Sequence, residues 1–355
     1  MTKRIYLDHT ATTPVLAEAR AAMARGLDAW ANPNSPHADG RAARALLEEA
    51  RKTVAEALDW RHDVIFTSGA SEAIELAATH VTIAGRAHGA TEHAIVPYAM
   101  GQGSRVIAVR GDGLIDQDDL AAALARGPAL VAIQHVNNET GIIQPLDRIA
   151  EQVRAAGSLL LADCAQSAGK LPLPDADFIA ACGHKLGGPP GIGVLLVKDL
   201  ANLTAVGGGQ EKGYRRGTQD VPGAMGLAAA LAARPYDLMR LGDLRNWLEK
   251  GVKVAGGVII GEGSPRIATI GALSLPGGSS ASLLVQLDLA GIAVSSGSAC
   301  SSGKMKASEV LAAMQVPDDI AQGFIRVSFG PATSEADVDR FLDEWRRIAS
   351  RAKAA

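Results

Sequence analysis

Hydrophobic positions along the chain alternate between short apolar runs and helical repeats. Leu47, Ala50, Val54 and Leu58 recur at helical spacing and predict an amphipathic helix from about Arg41 to Leu58. Strand-like apolar runs occupy residues 64–67, 105–109, 130–133, 158–162, 178–181 and 192–197. Predicted helices at residues 71–80, 117–125 and 146–155 separate several of these runs. Short apolar strands alternating with helices predict an α/β fold with a mostly parallel sheet that is covered on both faces.

The hydrophobic pattern changes near residues 234–237. Beyond this point the sequence predicts a long polar helix, two strand-like segments and a charged terminal helix. We therefore expect residues 13–235 to form a large domain. Residues 1–12 together with residues 236–355 are expected to form a smaller α+β domain.

Composition narrows the classes of function. A chain of 355 residues with 47% hydrophobic content can bury two cores. Its 35 basic and 38 acidic residues nearly balance, so we expect no direct binding to nucleic acid or to a membrane surface. No apolar run approaches the ~20 residues of a membrane span. Three cysteines are too few for a disulfide framework, which indicates a reducing, cytoplasmic location.

Lys185 is the residue that is most informative about the chemistry of the protein. It lies in a glycine-rich turn after an apolar strand, where lysine neither packs in a core nor favours the turn. It could instead form a Schiff base with a carbonyl cofactor. Asp163 ends another apolar strand, and a carboxylate there could keep a pyridine nitrogen protonated. The pair predicts binding of pyridoxal 5′-phosphate (PLP) at the carboxyl edge of the sheet.

Three further features of the sequence have both a structural and a functional interpretation. Residues 67–72, Thr-Ser-Gly-Ala-Ser-Glu, follow a strand and open a helix, so Ser71 and backbone N–H groups could bind a phosphate. An ordinary N-cap is the alternative. Asn137 and Asn138 follow the strand at 130–133. They either form a turn, or one of their side chains faces the carboxyl edge of the sheet and contacts the cofactor or the substrate. Arg326, within a strand-like run, either is solvated or binds the carboxylate of an amino-acid substrate.

The three cysteines differ in their surroundings. Cys300 lies in the Gly/Ser-rich segment 295–303, where no apolar period indicates core packing, and we interpret it as a reactive thiol. Cys164 and Cys182 follow apolar strands and are interpreted as small buried residues. Together with His184 they fit no zinc-ligand spacing, so no metal site is expected.

Taken together, these motifs resemble those of the NifS-like cysteine desulfurases, which belong to the class V aminotransferase group of fold-type I PLP enzymes. The resemblance extends over nearly the whole chain, and its motifs occur in the order of the family. They are residues 6–14, 32–33, 67–72, 91–93, 135–139, 163–166, 183–185, 207–211, 215–218, 295–300 and 325–326.

The resemblance implies a role for each matching residue. Lys185 would hold PLP and move protons, Asp163 would pair with the pyridine nitrogen, and Gln166 would bind the ring hydroxyl. His93 would stack on the ring and act as an acid–base group. Ala70, Ser71 and His184 would bind the phosphate. Thr218 matches a residue that the family supplies to this phosphate from the other subunit. Asn138 and Arg326 would bind the substrate carboxylate, and Cys300 would be the nucleophile.

The implied activity is conversion of L-cysteine to L-alanine, with transfer of sulfur to Cys300 as a persulfide. The family acts as a homodimer and passes sulfur to a protein acceptor, such as an iron–sulfur scaffold, or into tRNA thiolation. A selenocysteine lyase, another class V aminotransferase and a non-catalytic PLP-binding subunit are the alternatives. One departure concerns Cys182, since the family usually has a phosphate-binding serine there and a thiol is a weaker donor.

Overall fold

The computed structural model describes residues 4–296 and 308–354. The strands of this part of the chain are β1 (Ile5–Tyr6), β2 (Asp63–Thr67), β3 (Gly85–Gly89), β4 (Arg105–Ile107), β5 (Ala129–Gln134), β6 (Leu159–Asp163), β7 (Phe178–Cys182), β8 (Gly193–Val197), β9 (Val258–Ile259), β10 (Ile270–Ser274), β11 (Ile292–Ala293) and β12 (Phe324–Ser328). The helices are α1 (Ala17–Asp28), α2 (Ala38–Ala57), α3 (Ala70–His80), α4 (Ile95–Met100), α5 (Gln117–Leu124), α6 (Leu146–Ala155), α7 (Val221–Ala232), α8 (Leu238–Val254), α9 (Ser280–Leu289), α10 (Glu309–Ala313), α11 (Asp318–Ala321) and α12 (Glu335–Ala354).

A seven-stranded sheet forms the centre of the molecule, in the order β2-β8-β7-β6-β5-β3-β4. Strands β4, β3, β5, β6 and β7 pair in parallel, whereas β8 is antiparallel to both β7 and β2. Only β8 therefore runs backwards among these seven strands, and β2 has the direction of β7. The predicted α/β fold with a mostly parallel sheet is confirmed.

Helices cover both faces of this sheet. Ile133, Ala162 and Ile179 belong to one buried cluster, which also contains Ile149 and Val153 of α6. Their alternate neighbours in the strands, such as Leu161 and Phe178, pack on the opposite face with Ile74 and Ala77 of α3. Burial of both faces explains why these strands read as continuous apolar runs rather than as alternating patterns.

A second, smaller layer lies around the three-stranded antiparallel sheet β12-β10-β9. Its core contains Leu248 of α8, Val327 of β12, and Phe341 and Trp345 of α12, whose rings stack 5.9 Å apart. Strand β1 pairs in parallel with β11 beside it. Tyr236 packs against both this core and that of the central sheet.

The helical repeat at residues 41–58 corresponds to α2, and the strand predictions match β2 and β4–β8 to within two residues at each end. Strand β3 was not predicted, because its sequence, Gly-Arg-Ala-His-Gly, has no apolar run although its last three residues are buried. No helix in the described ranges is long and apolar enough to cross a membrane.

Candidate active site at the carboxyl edge of the sheet

Four parallel strands deliver candidate residues to one edge of the central sheet. Asp163 is the last residue of β6, and Lys185 lies in the turn three residues beyond β7. His93 follows β3, and Asn138 follows β5. Because β3, β5, β6 and β7 are neighbours and parallel, their carboxyl ends meet at the same edge. The sequence placed Asp163 and the Lys185 turn at this edge, and the strand ends lie there.

The turn that carries Lys185 is held from two directions. The hydroxyls of Thr13 and Tyr236 both donate to the main-chain oxygen of Lys185, each over 3.3 Å, and lie 3.1 Å from one another. Within the turn, Leu186 N and Gly188 N donate to Gly183 O. These contacts fix the backbone of Lys185, while its side chain is only partly buried. Neither Thr13 nor Tyr236 was singled out as a site residue from the sequence.

The start of α3 lies against the end of β7. Gly193 of β8 is the register partner of Cys182, and a Cβ added at Gly193 would come within 2.7 Å of the Cα of Gly69. Only glycine therefore allows the α3 N-terminus, with Ala70 and Ser71, to approach so closely. A helix N-terminus on the same edge as Lys185 is suited to an anion such as a phosphate.

Residue Cys182 is buried, with 3% of its surface exposed. Burial raises the pKa of its thiol, and the positive charge of Lys185 offsets part of the rise. The side chain is therefore a neutral S–H group at neutral pH, which can act as a weak hydrogen-bond donor.

A second contact fixes the α3 N-terminus to a distant segment. Glu72 accepts from Ser68 N and, over 2.9 Å, from the Nε of Arg215. Thr218 is exposed three residues farther along, and no hydrogen bond within the described residues joins it to the site of its own chain. The role expected for Thr218 thus stays a prediction.

Gln166 has an unused hydrogen-bonding group. Its Nε2 donates to Thr10 O over 3.1 Å, while its buried Oε1 has no partner among the described residues. A buried amide oxygen without a partner is suited to a ligand hydroxyl. Together with the carboxylate of Asp163, the amine of Lys185 and the anion-binding start of α3, it gives a set of groups that fits PLP.

Burial, together with the charge of Lys185, shifts several pKa values in the site. Burial lowers the pKa of His93 and His184, and the positive charge of Lys185 lowers both further. Both rings are therefore neutral near pH 7. Burial also lowers the pKa of Lys170 to about 8, with Lys185 adding to the effect. Lys170 lies 4.8 Å above the ring of Tyr236.

Behind Asp163 lies a carboxyl group to which the sequence assigned no role. Glu92 accepts from Gln134 N over 2.9 Å, and its Oε2 is buried without a partner in the described ranges. Burial raises the pKa of Glu92 well above its usual range, and the charge of Asp163 raises it further. Burial thus favours the uncharged form of Glu92, whereas Asp163 ends β6 at the carboxyl edge of the sheet, where a pyridine nitrogen would bind.

Arg326 and Asn138, expected together at the substrate carboxylate, are in contact. Arg326 Nη1 donates to the main-chain oxygen of Asn138 over 2.9 Å, and Nη2 donates to Asp8 Oδ1 over 2.8 Å. The solvated alternative for Arg326 is wrong, because only 4% of its side chain is exposed. Asp8 was missed, although it belongs to the motif at residues 6–14. Cys300, the expected nucleophile, lies outside the described residues.

Comparison with known proteins supports the resemblance seen in the motifs. A cysteine desulfurase of Cereibacter sphaeroides is 35% identical, with 99% of this chain and 97% of that protein covered. A cysteine desulfurase of Gluconacetobacter diazotrophicus is 36% identical, with coverage of 98% and 94%.

A solved structure supports the same resemblance. The NifS-like protein of Rickettsia africae superposes with a TM-score of 0.90 at 28% identity, covering 98% of this chain and 99% of that one. The family model described as aminotransferase class-V matches residues 5–341. The chain therefore belongs to the aminotransferase class-V family.

Proposed function

We propose that the protein is a PLP-dependent cysteine desulfurase, which converts L-cysteine to L-alanine and holds the released sulfur as a persulfide on Cys300. One observation carries the proposal. Lys185 and Asp163 lie at the carboxyl ends of two neighbouring parallel strands, with the N-terminus of α3 on the same edge. The names of the relatives that cover the whole chain support the choice of L-cysteine as substrate.

When bound, PLP supplies an aldehyde for the lysine and a ring that withdraws electrons from the substrate Cα. Lys185 would hold it, Asp163 would pair with its ring nitrogen, and Gln166 would contact its hydroxyl. The start of α3, with Cys182 and His184, would hold its phosphate. Neutral His93 would pack against its ring.

Side chains of the protein itself perform the remaining steps of the reaction. Lys185, with its backbone fixed by Thr13 and Tyr236, removes the proton from the substrate Cα and returns a proton to that carbon before L-alanine leaves. Neutral His93 can accept or donate a proton beside the ring. Asn138 and Arg326 orient the substrate through its carboxylate.

The sulfur step belongs to Cys300. Its thiolate attacks the substrate sulfur, forming an S–S bond while the substrate C–S bond breaks. The electron pair of the broken bond stays on carbon, which takes up a proton, so that L-alanine leaves and Cys300 carries the persulfide. This assignment comes from the sequence motif at residues 295–300.

A Cys300→Ala variant separates this function from the alternatives. We expect it to retain the absorption band of bound PLP but to lose sulfide release from L-cysteine. A selenocysteine lyase or another class V aminotransferase would keep its turnover. A non-catalytic PLP-binding subunit would show the band without alanine formation even in the wild type. Unchanged turnover in Cys300→Ala overturns the proposal.

We further propose a division into a large domain of residues 13–235 and a small domain of residues 1–12 and 236–355. Tyr236, at this boundary, packs against both cores, which supports the position of the boundary. The protein is proposed to act in the cytoplasm as a homodimer in which Thr218 reaches the partner's phosphate site. A protein that accepts sulfur, such as an iron–sulfur scaffold, is the proposed partner.

A further inference from the structure

The guanidinium of Arg326 is already committed to partners within the chain. Nη1 binds the main-chain oxygen of Asn138, and Nη2 binds a carboxylate oxygen of Asp8. The Arg326 side chain is 4% exposed and that of Asp8 is 22% exposed. Arg326 Nε is buried and has no partner among the described residues. The cation is thus paired, while Nη1 and Nη2 each use one N–H on these partners and the other N–H groups of the fork are left for a ligand.

The position of Asp8 is fixed by the backbone around it. Asp8 forms a parallel bridge with Ser328, two residues from Arg326 on β12. Ser328 N donates to Leu7 O over 2.7 Å, and Thr10 N donates to the Ser328 hydroxyl over 2.9 Å. These contacts hold the carboxylate beside the guanidinium, so the ion pair is a built feature of the fold.

We propose that Asp8 determines substrate specificity by neutralising Arg326, so that the site favours amino acids without a second negative charge. The inference rests on the proposed function, because it takes Arg326 as the group that receives the substrate carboxylate. A substrate carboxylate that binds Arg326 meets a neutral Arg326–Asp8 pair rather than a free cation. A second anionic group on the ligand is repelled by Asp8 with no unpaired charge on Arg326 to compensate.

Coulomb's law gives the size of the effect. Two carboxylates about 7 Å apart at an effective dielectric constant of about 30 repel each other enough to weaken binding roughly tenfold. Removing the charge of Asp8 should therefore tighten carboxylate binding. A purely structural role for Asp8 predicts the opposite sign, because a loosened Arg326 binds the substrate more weakly.

The test compares PLP-loaded wild type with Asp8→Asn, which keeps the shape of the side chain and removes its charge. We expect the KM for L-cysteine to fall roughly tenfold in Asp8→Asn while kcat changes less than about threefold. An unchanged or higher KM overturns the inference. Asp288→Asn is the matched control, because Asp288 forms an exposed ion pair with Arg4 and should leave KM unchanged.

A second measurement needs no variant and no turnover. Binding of L-asparagine and L-aspartate, which differ by one charge at nearly equal shape, is followed in the PLP-loaded wild type through its absorption spectrum. We expect L-aspartate to bind at least about fivefold more weakly. Equal or tighter binding of L-aspartate overturns the inference, even if Asp8→Asn does not fold. If wild type forms no alanine from L-cysteine, the proposed function is overturned instead. The comparison of L-asparagine with L-aspartate can still be interpreted in that case.

Discussion

Replacing Glu211 with alanine breaks a buried ion pair that anchors the segment containing Arg215. The side chain of Glu211 is fully enclosed and accepts from Arg51 Nη1 over 2.7 Å and Nη2 over 3.0 Å. It also accepts from Phe66 N over 2.8 Å. Because Arg215 in turn binds Glu72 at the start of α3, Glu211 connects this segment to the proposed phosphate site.

The magnitude follows from what the substitution leaves behind. Arg51 is only 16% exposed, so in Glu211→Ala its guanidinium stays largely buried. Its carboxylate partner among the described residues is then Glu48, which is 51% exposed. Removing one member of a buried pair costs about 3–5 kcal/mol, since the other charge is left without compensation. Phe66 N also loses its acceptor. Because Glu48 remains, we expect a loss of about 3 kcal/mol in the free energy of unfolding.

Urea unfolding followed by circular dichroism, at equal protein and PLP concentrations, measures this loss. Glu48→Ala is the matched control, because it removes the exposed partner of the same arginine and should cost at most about 1 kcal/mol. If Glu211→Ala is no less stable than Glu48→Ala, the buried pair does not anchor the segment and the reasoning is refuted.

Three further predictions concern the site and its surroundings. Cys182→Ser should bind PLP at least as tightly as wild type in a fluorescence titration, and markedly weaker binding would contradict the phosphate assignment. Burial and the charge of Lys170 lower the pKa of His9 to about 4, so its neutral form is favoured in the folded state. Folding stability should therefore fall as the pH drops from about 6.5 to 4, by up to about 3 kcal/mol more in wild type than in His9→Asn, as measured by urea unfolding; equal pH dependence would contradict this. Tyr236→Phe removes one donor to Lys185 O and should cost about 1 kcal/mol in the same assay; no loss would mean that the Tyr236 hydroxyl does not stabilise the turn.

Much of the fold follows from local patterns in the sequence. Continuous apolar runs identified the strands that end at Asp163 and Cys182, since burial of both faces requires such runs. The rule that ligands bind at the carboxyl ends of parallel strands then placed Asp163 and Lys185 on one edge. Strand β3 was not predicted because Ala87, His88 and Gly89 are buried by neighbouring elements although they form no apolar run. The reversed direction of β8 is equally invisible in its apolar run.

The contacts that complete the site join residues far apart in the chain. Asp8 and Arg326 are separated by 318 positions, and Arg51 and Glu211 by 160. Each of these charges, considered alone, fits an exposed surface, and only the folded chain shows that the pairs are buried. The contacts of Thr13 and Tyr236 could not be predicted from the sequence either, because their shared acceptor is a main-chain oxygen of Lys185.

The most direct test of the proposed function is mass spectrometry of the PLP-loaded protein after incubation with L-cysteine. We expect one alanine for each sulfur transferred, with the added sulfur on the peptide that contains Cys300. We also expect that Lys185→Ala forms neither product. Formation of alanine with unmodified Cys300 in wild type, or of alanine by Lys185→Ala at the wild-type rate, would contradict it.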